Sequence, residues 1–444
     1  MRKTIYLTYL LSVFSLLPSY GGSNEKITVS GEISSVEVHS AAPLIIDTDT
    51  EYQKVIGFGG MNTKWQASTL SDNEITTLYG NGEGQLGYNV LRVRISPNGE
   101  RDWKQIVGTV RKAKSLGATI LATPWTPPVG LKNNHSIVQG ELGDTDGYAA
   151  YLKSFVRYMQ NNGADIDVLS IQNEPDIDVK YESCQWSPAQ IYDFVKKYGA
   201  ELRATGVKLM ASEHSKFNHD FTDPLLQDAQ VAANVDCIGG HIYGGGLVSY
   251  DLVAQKGKEY WMTEHYLNKA WKDKVLTSPE ALRTENMAFA EELNNCMNLG
   301  FNVYIWWYLR RFYSMLGDGD GGSVRSEVTT RGYFLSHFAK YATGRIRVKA
   351  TLPEGAPSGI SATAYKNAEG DISVILVNSS ANVMRGLKIA LPFKAAKAVK
   401  VVTTSGTTPA ETVKKMAQSK VKLAGGVDTH RRTFVTCWRL FTDK

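Results

Sequence analysis

Two short segments of the chain place a glutamate directly after a run of apolar residues. Val168-Leu169-Ser170 leads into Ile171-Gln172-Asn173-Glu174-Pro175-Asp176, and Tyr260-Trp261-Met262-Thr263 leads into Glu264. Each apolar run is typical of a buried β-strand, and the proline prevents the first strand from continuing. Two carboxyl groups at the ends of separate parallel strands are what hydrolysis of a glycosidic bond requires, because one attacks the sugar and the other protonates the leaving oxygen.

A single glutamate after a strand is more often a solvated loop residue or a neighbour of a helix N-cap. The Asn-Glu-Pro context of Glu174, the second strand end at Glu264 and the aromatic residues nearby favour a catalytic pair. The two residues are 264 − 174 = 90 positions apart. This distance corresponds to about three βα units of roughly 30 residues. The sequence leaves open whether the carboxyl groups are about 5 to 5.5 Å apart, as in retaining enzymes, or about 6.5 to 9.5 Å apart, as in inverting ones.

Short apolar runs alternate with helical patterns through the middle of the chain. Eight predicted strands begin near residues 55, 90, 118, 168, 208, 236, 260 and 302. Predicted helices cover Trp103–Leu116, Gly147–Asn161, Pro188–Ala204, Pro279–Leu299 and Tyr333–Tyr341. Eight alternating units of this kind predict an α/β fold, a (β/α)8 TIM barrel over residues 51–343. Glu174 then follows strand four and Glu264 follows strand seven, at the barrel face that carries active sites.

Both ends of the chain have strand patterns without helices. Residues 24–50 alternate polar and apolar positions, and residues 344–444 contain four such runs, Ile372–Val377, Leu387–Leu391, Val399–Thr403 and Thr433–Leu440. The first segment is too short to fold alone, so we expect it to add strands to the second. The fold class predicted is therefore a TIM barrel with an all-β side domain, a β-sandwich built from N-terminal strands and the C-terminal region.

The first residues have the pattern of a secretory signal peptide, predicted over residues 1–22. Arg2 and Lys3 precede an apolar run from Ile5 to Leu17, and small residues follow in Ser19–Ser23. That apolar run is short for a membrane span. We expect a secreted protein, extracellular or periplasmic, without membrane association after processing; the alternative is a membrane-tethered N-terminus.

Composition narrows the possible partners. The net charge is +5 without a long run of Lys or Arg, which argues against nucleic-acid binding. The 9 Trp and 22 Tyr residues suit a site that stacks sugar rings, although aromatic residues are also ordinary core material. The four cysteines, Cys184, Cys237, Cys296 and Cys437, lack CxxC spacing, so we expect mostly buried free thiols and no structural zinc.

Several motifs together resemble family 30 glycoside hydrolases, and more closely the bacterial glucuronoxylan endo-xylanases of that family. The resemblance runs from about residue 40 to the end of the chain. It rests on Gly57-Phe58-Gly59-Gly60, Pro124-Trp125, Ser170 to Pro175, His241-Ile242-Tyr243-Gly244, Trp261-Met262-Thr263-Glu264 and Trp306-Trp307-Tyr308-Leu309-Arg310-Arg311. It implies a retaining mechanism on a polysaccharide, with no cofactor and no metal ion. We expect a monomer.

The resemblance also implies catalytic roles. Glu174 would be the acid/base and Glu264 the nucleophile. Asn173 would bond the 2-hydroxyl of the sugar being cleaved, and Tyr243 would orient the nucleophile. Arg92 would keep Glu264 ionised; the alternative is a plain structural ion pair.

A further set of residues would recognise the substrate. Trp125 would be a stacking platform, unless it is core at the barrel mouth. The resemblance implies a pocket for a methylglucuronate branch formed by Trp307, Arg311, Tyr313 and Tyr266, and a guanidinium can grip a carboxylate with two hydrogen bonds. Lys269 stands where a small hydroxyl residue is expected, which puts one hydrogen bond to the uronate in doubt.

Three functions are compared. The first is an endo-β-1,4-xylanase directed by glucuronate branches. The second is the same chemistry on unbranched xylan or another β-glycan. The third is a carbohydrate-binding protein without catalysis, against which the presence of both glutamates argues.

Overall fold

A computed structural model describes residues 37–39, 42–62, 69–268, 279–380, 383–385, 387–392, 397–405, 419–420 and 434–441. The predicted signal peptide at 1–22, most of the predicted strand region 24–50 and Lys269 lie outside the described residues.

The strands and helices alternate through the middle of the chain, as predicted. The described strands are β1 (Glu37–His39), β2 (Leu44–Lys54), β3 (Gly57–Met61), β4 (Val90–Ile95), β5 (Thr119–Pro124), β6 (Val168–Ser170), β7 (Lys208–His214), β8 (Cys237–His241), β9 (Glu259–Glu264), β10 (Val303–Tyr308), β11 (Ile346–Thr351), β12 (Ile360–Lys366), β13 (Ile372–Asn378), β14 (Val383–Arg385), β15 (Ile389–Ala390), β16 (Lys397–Ser405), β17 (Ser419–Lys420) and β18 (Phe434–Phe441). The described α-helices are α1 (Asp72–Tyr79), α2 (Glu100–Ser115), α3 (Thr145–Asn161), α4 (Pro188–Arg203), α5 (His219–Gln227), α6 (Ala229–Ala232), α7 (Asp251–Gln255), α8 (Pro279–Asn298) and α9 (Thr330–Tyr341).

Strands β3 to β10 close into a parallel barrel, in which β10 pairs with both β9 and β3. Buried apolar side chains fill the barrel interior. Strands β4 to β9 contribute one each and β10 contributes two, namely Val90, Leu121, Val168, Met210, Cys237, Trp261, Val303 and Ile305. A TIM barrel needs such a packed interior, because its strands are covered on both faces. The predicted fold class is confirmed.

The side domain is an eight-stranded sheet with the order β15-β2-β11-β12-β13-β18-β16-β17, accompanied by the two-stranded pair β1-β14. The N-terminal strand β2 pairs antiparallel with β11, the strand that follows the barrel. Helix α8 joins the two parts, since Asn294 accepts a hydrogen bond from Thr363 at 2.7 Å and donates one to Ser361 at 2.7 Å.

Three of the four cysteines confirm the predicted free thiols, because Cys184, Cys237 and Cys296 are buried and unpaired. The side chain of Cys437 is not among those described. Within the described part of the chain, every helix is too short or too polar to cross a bilayer.

Local sequence signals set the helix starts that the barrel uses. Helix α4 begins with a capping box, in which the Ser187 hydroxyl accepts from the amide of Gln190 and the Gln190 side chain accepts from the amide of Ser187; Pro188 occupies the first turn. Helix α1 begins in the same way at Ser71 and Glu74.

Glu74 has a second role, because its carboxylate also holds the segment that follows β10. Arg310 Nη1 donates to both of its oxygens, at 2.7 and 2.5 Å, and the Ser326 hydroxyl donates to one of them at 2.8 Å. Both members of the ion pair are 6% exposed. This contact joins α1 to the arm of residues 309–328, which the sequence predicts to recognise the substrate.

Replacement of Glu74 by alanine should lower the free energy of unfolding by about 3 kcal/mol, because Arg310 would remain buried without its carboxylate. Urea unfolding at neutral pH measures this change. Asp72→Ala is the matched control, since Asp72 is exposed in the same helical turn. Its expected loss is below about 1 kcal/mol. Equal losses in the two variants would contradict a structural role for the buried pair.

Candidate active site

A buried guanidinium occupies the centre of the barrel mouth. Strand β4 reads Val-Leu-Arg-Val-Arg-Ile, so Arg92 and Arg94 point to the same face. Arg92 is fully buried, and its Nη1 lies 2.5 Å from Glu264 Oε2. Its Nη2 donates to Asn173 Oδ1 at 2.6 Å and lies 2.9 Å from Glu213 Oε2. One cation therefore links the ends of four strands, β4, β6, β7 and β9.

Glu174 follows β6 with an unusual backbone conformation. Its φ is +43°, in the left-handed region that a residue with a Cβ rarely adopts. Its amide donates to the carbonyl of Glu213 at 2.7 Å, and the amide of Asn173 donates to that of Pro124 at 2.9 Å. These bonds to both neighbouring strands hold the strained residue in place. Strain of this kind is concentrated at functional sites.

The two oxygens of the Glu174 carboxyl group have different partners. Oε1 lies 2.9 Å from His241 Nδ1, and Oε2 accepts from the Tyr181 hydroxyl at 2.7 Å. Burial alone would raise the pKa of Glu174. The hydrogen bond and charge of His241, together with the Tyr181 hydroxyl, outweigh it and place this pKa below its usual value.

Glu264 is the last residue of β9 and is 6% exposed. In addition to Arg92, it accepts a hydrogen bond from the Tyr243 hydroxyl, at 3.0 Å to Oε1. Burial raises the pKa of Glu264 above its usual value, and the charges of His241 and Arg92 offset only part of this rise. Both hydrogen-bond donors, Arg92 and Tyr243, favour the ionised form of Glu264.

The two carboxyl groups are close together. One oxygen of Glu174, one of Glu264 and one ring nitrogen of His241 all lie within 4.8 Å of one another. One oxygen of each carboxyl group thus lies closer to the other group than the roughly 6.5 Å at which the inverting range begins. Within the described residues, these three side chains are also the set whose geometry could accept a metal ion. The permanently charged Arg92 at 2.5 Å from Glu264 would repel a divalent cation.

Two functional residues were missed by the sequence analysis, Glu213 and His241. Burial would raise the pKa of Glu213, but the charge of Arg92, helped by His241, lowers it to about 2. Burial would lower the pKa of His241, but the charge of Glu264 and the hydrogen bond to Glu174 raise it to about 10. His241 Nε2 lies 3.8 Å from Glu213 Oε2, which is close enough for attraction between charges. The signal was available: each residue stands at or next to the end of a predicted strand.

The predicted aromatic residues form one cluster at the mouth. The rings of Tyr266 and Tyr313 are stacked with centroids 5.1 Å apart, and Tyr266 contacts Tyr243 edge-on at 5.6 Å. Trp307 packs 5.9 Å from Trp125. This chain of ring contacts joins the predicted recognition residues to the hydroxyl that holds Glu264.

Trp125 differs from its predicted role as a stacking platform. It is 2% exposed, because Arg92 lies over its ring at 4.5 Å and Trp307 packs beside it. So little of the ring is open that it serves as packing beneath the site. This burial favours the alternative interpretation, core at the barrel mouth.

Arg311 extends from the arm after β10 toward the same cluster. Its guanidinium lies 5.6 Å from the ring centroid of Tyr308 and interacts with the Tyr313 hydroxyl. Its Nη1 is 3.9 Å from Asp318 Oδ2, and its side chain is 32% exposed. The Arg311 side chain is therefore partly exposed beside Tyr308 and Tyr313.

A pair of closely spaced carboxyl groups, buried in the mouth of a (β/α)8 barrel beside a cluster of aromatic rings, is the arrangement of a glycoside hydrolase. Residues 71–260 match the model of the glycosyl hydrolase family 30 TIM-barrel domain. Glucuronoxylanase XynC of Bacillus subtilis (strain 168) is 34% identical over 355 residues, which are 77% of this chain and 79% of that protein. The chain belongs to glycosyl hydrolase family 30.

Solved structures agree with this classification. The family 30 subfamily 8 xylanase Xyn30A from Clostridium acetobutylicum superposes with a TM-score of 0.77 at 30% identity, over 90% of this chain and 99% of that one. A family 30 endoxylanase from Clostridium papyrosolvens C71 superposes with a TM-score of 0.73 at 26% identity, over 90% of this chain and 100% of that one.

Replacement of Tyr243 by phenylalanine should lower kcat about ten- to a hundredfold, because a hydrogen bond to a charged nucleophile is lost. KM for the polysaccharide should change little. Tyr88→Phe is the matched control, since the buried Tyr88 hydroxyl donates at 2.8 Å to the carbonyl of Gly332, away from the carboxyl pair. That variant should lose stability and keep kcat. An unchanged kcat in Tyr243→Phe would contradict the positioning role.

The low pKa of Glu213 predicts how stability depends on pH. The folded protein keeps this carboxylate ionised down to about pH 2, whereas the ordinary value is 4.5. Its ionised form therefore stabilises the fold fully above pH 4.5, and the contribution is lost as pH falls toward 2.

The stability difference between the native protein and Glu213→Gln should thus be largest near neutral pH and shrink through that window. Urea unfolding at several pH values measures it. Glu259→Gln, which affects a half-exposed pair with Lys208 at the other end of the barrel, should show a small difference at every pH. A difference for Glu213→Gln that grows on acidification would refute the assignment.

Proposed function

We propose that the protein is a retaining endo-β-1,4-xylanase that hydrolyses glucuronoxylan and is directed by a methylglucuronic acid branch. The observation that carries this proposal is the partly exposed Arg311 side chain beside the stacked pair Tyr266 and Tyr313, which is joined through Tyr243 to Glu264. A cation flanked by aromatic rings suits an anionic sugar. The names of the Bacillus and Clostridium relatives support xylan as the substrate.

The two cations beside the carboxyl groups support Glu264 as the nucleophile and Glu174 as the acid. Arg92 cannot release its proton, so Glu264 keeps a permanent positive neighbour. His241 can return its proton to Glu174 across their 2.9 Å hydrogen bond. When a sugar displaces water, the added desolvation favours this transfer and leaves Glu174 neutral. Glu264 is then the nucleophile and Glu174 the acid.

In the first step, a carboxylate oxygen of Glu264 forms a bond to the anomeric carbon while the bond from that carbon to the leaving oxygen breaks. Glu174 gives its proton to the leaving oxygen. In the second step, Glu174 accepts a proton from water, and the water oxygen replaces Glu264 on the anomeric carbon. Asn173 has its Oδ1 engaged by Arg92, so its amide hydrogens are the groups it offers to the 2-hydroxyl of the sugar.

The protein would recognise the methylglucuronic acid branch by its charge and its shape. In the free protein Asp318 lies 3.9 Å from Arg311, too far for a hydrogen bond to that atom. A uronate carboxylate can approach the guanidinium with two parallel hydrogen bonds and make the stronger contact. Trp307, which is 9% exposed, and Tyr313 border the position of the attached sugar.

A second candidate function is the same chemistry on unbranched xylan or another β-glycan. Asp318 is the observation that favours it, because a carboxylate beside Arg311 lowers the attraction for a uronate. The non-catalytic alternative is disfavoured by the short distance between Glu174 and Glu264.

Location and assembly are also proposals. The basic N-terminal residues and the apolar run after them support secretion to the extracellular space or periplasm, without membrane association after processing. A monomer is the proposed state.

Replacement of Arg311 by alanine should lower kcat/KM on glucuronoxylan about ten- to a hundredfold and spare activity on unbranched xylan, since a charge-assisted bidentate contact is lost only with the branched substrate. Product analysis by mass spectrometry would show cleavage that no longer follows the branches. Arg311→Lys should recover only part of the loss, because an ammonium group lacks the planar fork.

Arg325→Ala is the matched control, because Arg325 is an exposed arginine on the same arm. Glu264→Ala sets the background rate. Equal losses on branched and unbranched xylan in Arg311→Ala would sink the branch-reading proposal. Native activity no higher than that of Glu264→Ala would sink the enzymatic one.

A further inference from the structure

We infer that Tyr181 forms the subsite for the sugar unit that departs from the cleaved bond, a β-linked pyranose such as xylose. The inference rests on the proposed function. It concerns the position of the leaving sugar, which is a different part of the cleft from the branch pocket. Tyr181 lies in the loop between β6 and α4. It is not among the residues that the sequence predicts for the site.

The position of the Tyr181 hydroxyl indicates what lies beside its ring. The hydroxyl donates to Glu174 Oε2 at 2.7 Å, and the other oxygen of Glu174 is occupied by the buried His241. Oε2 is therefore the oxygen of the acid/base that faces the cleft and meets the glycosidic oxygen. The leaving sugar is attached to that glycosidic oxygen, so it must come to rest next to whatever contacts Oε2.

The exposure of the ring is the second observation. Tyr181 is 40% exposed, whereas Trp125 and Trp307 are 2% and 9% exposed. A tyrosine whose hydroxyl is engaged and whose ring faces solvent presents an apolar surface at a fixed place. Sugars stack on such surfaces through their C–H faces. Ile137 on the neighbouring loop is also exposed, and its carbonyl accepts from the amide of Ser183 at 3.0 Å.

The loop that carries Tyr181 is anchored by buried charges. Arg94 Nη2 lies 2.6 Å from Glu182 Oε1, with both side chains largely buried. Lys132 Nζ donates to the carbonyl of Ser183 at 2.7 Å, and the Ser183 hydroxyl donates to the carbonyl of Tyr181 at 2.8 Å. The ring is thus held in place before substrate arrives, which reduces the entropy lost on binding.

A subsite for the leaving sugar also holds an acceptor sugar in the second half of the reaction. There, an acceptor hydroxyl attacks the anomeric carbon, the bond to Glu264 breaks, and Glu174 takes the proton. The glycosyl-enzyme divides between water and acceptor according to how well the acceptor is held. The ratio of transfer to hydrolysis therefore reports on how well the leaving-sugar side of the cleft holds the acceptor.

The test compares Tyr181→Ala, Tyr181→Leu and Tyr181→Phe with the native protein. Each is given oligosaccharides from glucuronoxylan with an excess of xylotriose, and the transfer and hydrolysis products are quantified by mass spectrometry. Loss of the ring in the Ala and Leu variants should lower the transfer-to-hydrolysis ratio about tenfold, and Phe should retain it. Tyr52→Ala is the matched control, because Tyr52 is 45% exposed and lies on β2 in the side domain.

The Phe variant tests the hydroxyl separately. Removing a hydrogen bond that favours ionised Glu174 should move the alkaline limb of the pH–rate profile to higher pH. A structural role for Tyr181 would leave that limb in place.

An unchanged transfer ratio in both Ala and Leu variants, with native activity on glucuronoxylan intact, would overturn the subsite and leave the proposed function standing. A native protein that does not hydrolyse glucuronoxylan above the Glu264→Ala background would overturn both. A lowered ratio in the ring-deleted variants with native-like Phe and Tyr52→Ala ratios supports the subsite.

Discussion

The charge of Arg92 is the constraint on which the barrel mouth depends. A guanidinium that is fully buried must have its donors engaged and its charge balanced, or it costs several kcal/mol. Here Glu213 and Glu264 supply the charge, and Asn173 takes a further hydrogen bond. Because these partners come from different strands, the requirement fixes the relative height of the strand ends. The same contacts that balance the buried charge of Arg92 also set the positions of Glu264 and Asn173.

The site holds two cations of different character. Arg92 is permanently charged, and His241 is charged only while it keeps its proton. A double displacement needs one carboxyl group that stays ionised and one that gains and loses a proton in each cycle. The permanent cation lies beside Glu264 and the exchangeable one beside Glu174, which is the placement that the proposed roles require. Glu213, whose pKa falls to about 2, remains the fixed negative charge between them.

Much of this was predictable from the sequence, for local reasons. Glu174 and Glu264 each end an apolar run, and the alternation of runs and helical patterns was enough for the barrel. What depends on distant packing was not predictable. Trp125 is covered by Arg92 from the preceding strand, and no residue near Trp125 in the sequence indicates this contact. Glu213 lies beyond an irregularity in the register between β7 and β8, so its inward direction follows from strand pairing. Tyr181 reaches Glu174 only because Arg94 and Lys132 fix its loop.

Chemistry and substrate choice are carried by different kinds of element. The reacting groups stand at strand ends that the barrel makes rigid, whereas Arg311 and Tyr181 stand on connecting segments. A segment can recognise a substrate only if its own position is fixed. The buried ion pair between Glu74 and Arg310 fixes the segment that carries Arg311. The buried ion pair between Arg94 and Glu182 fixes the segment that carries Tyr181. One member of each ion pair is the sequence neighbour of the side chain that the pair positions: Arg310 adjoins Arg311, and Glu182 adjoins Tyr181. Substitution at the tip of either segment can therefore change which sugars are accepted while the carboxyl groups remain where Arg92 holds them.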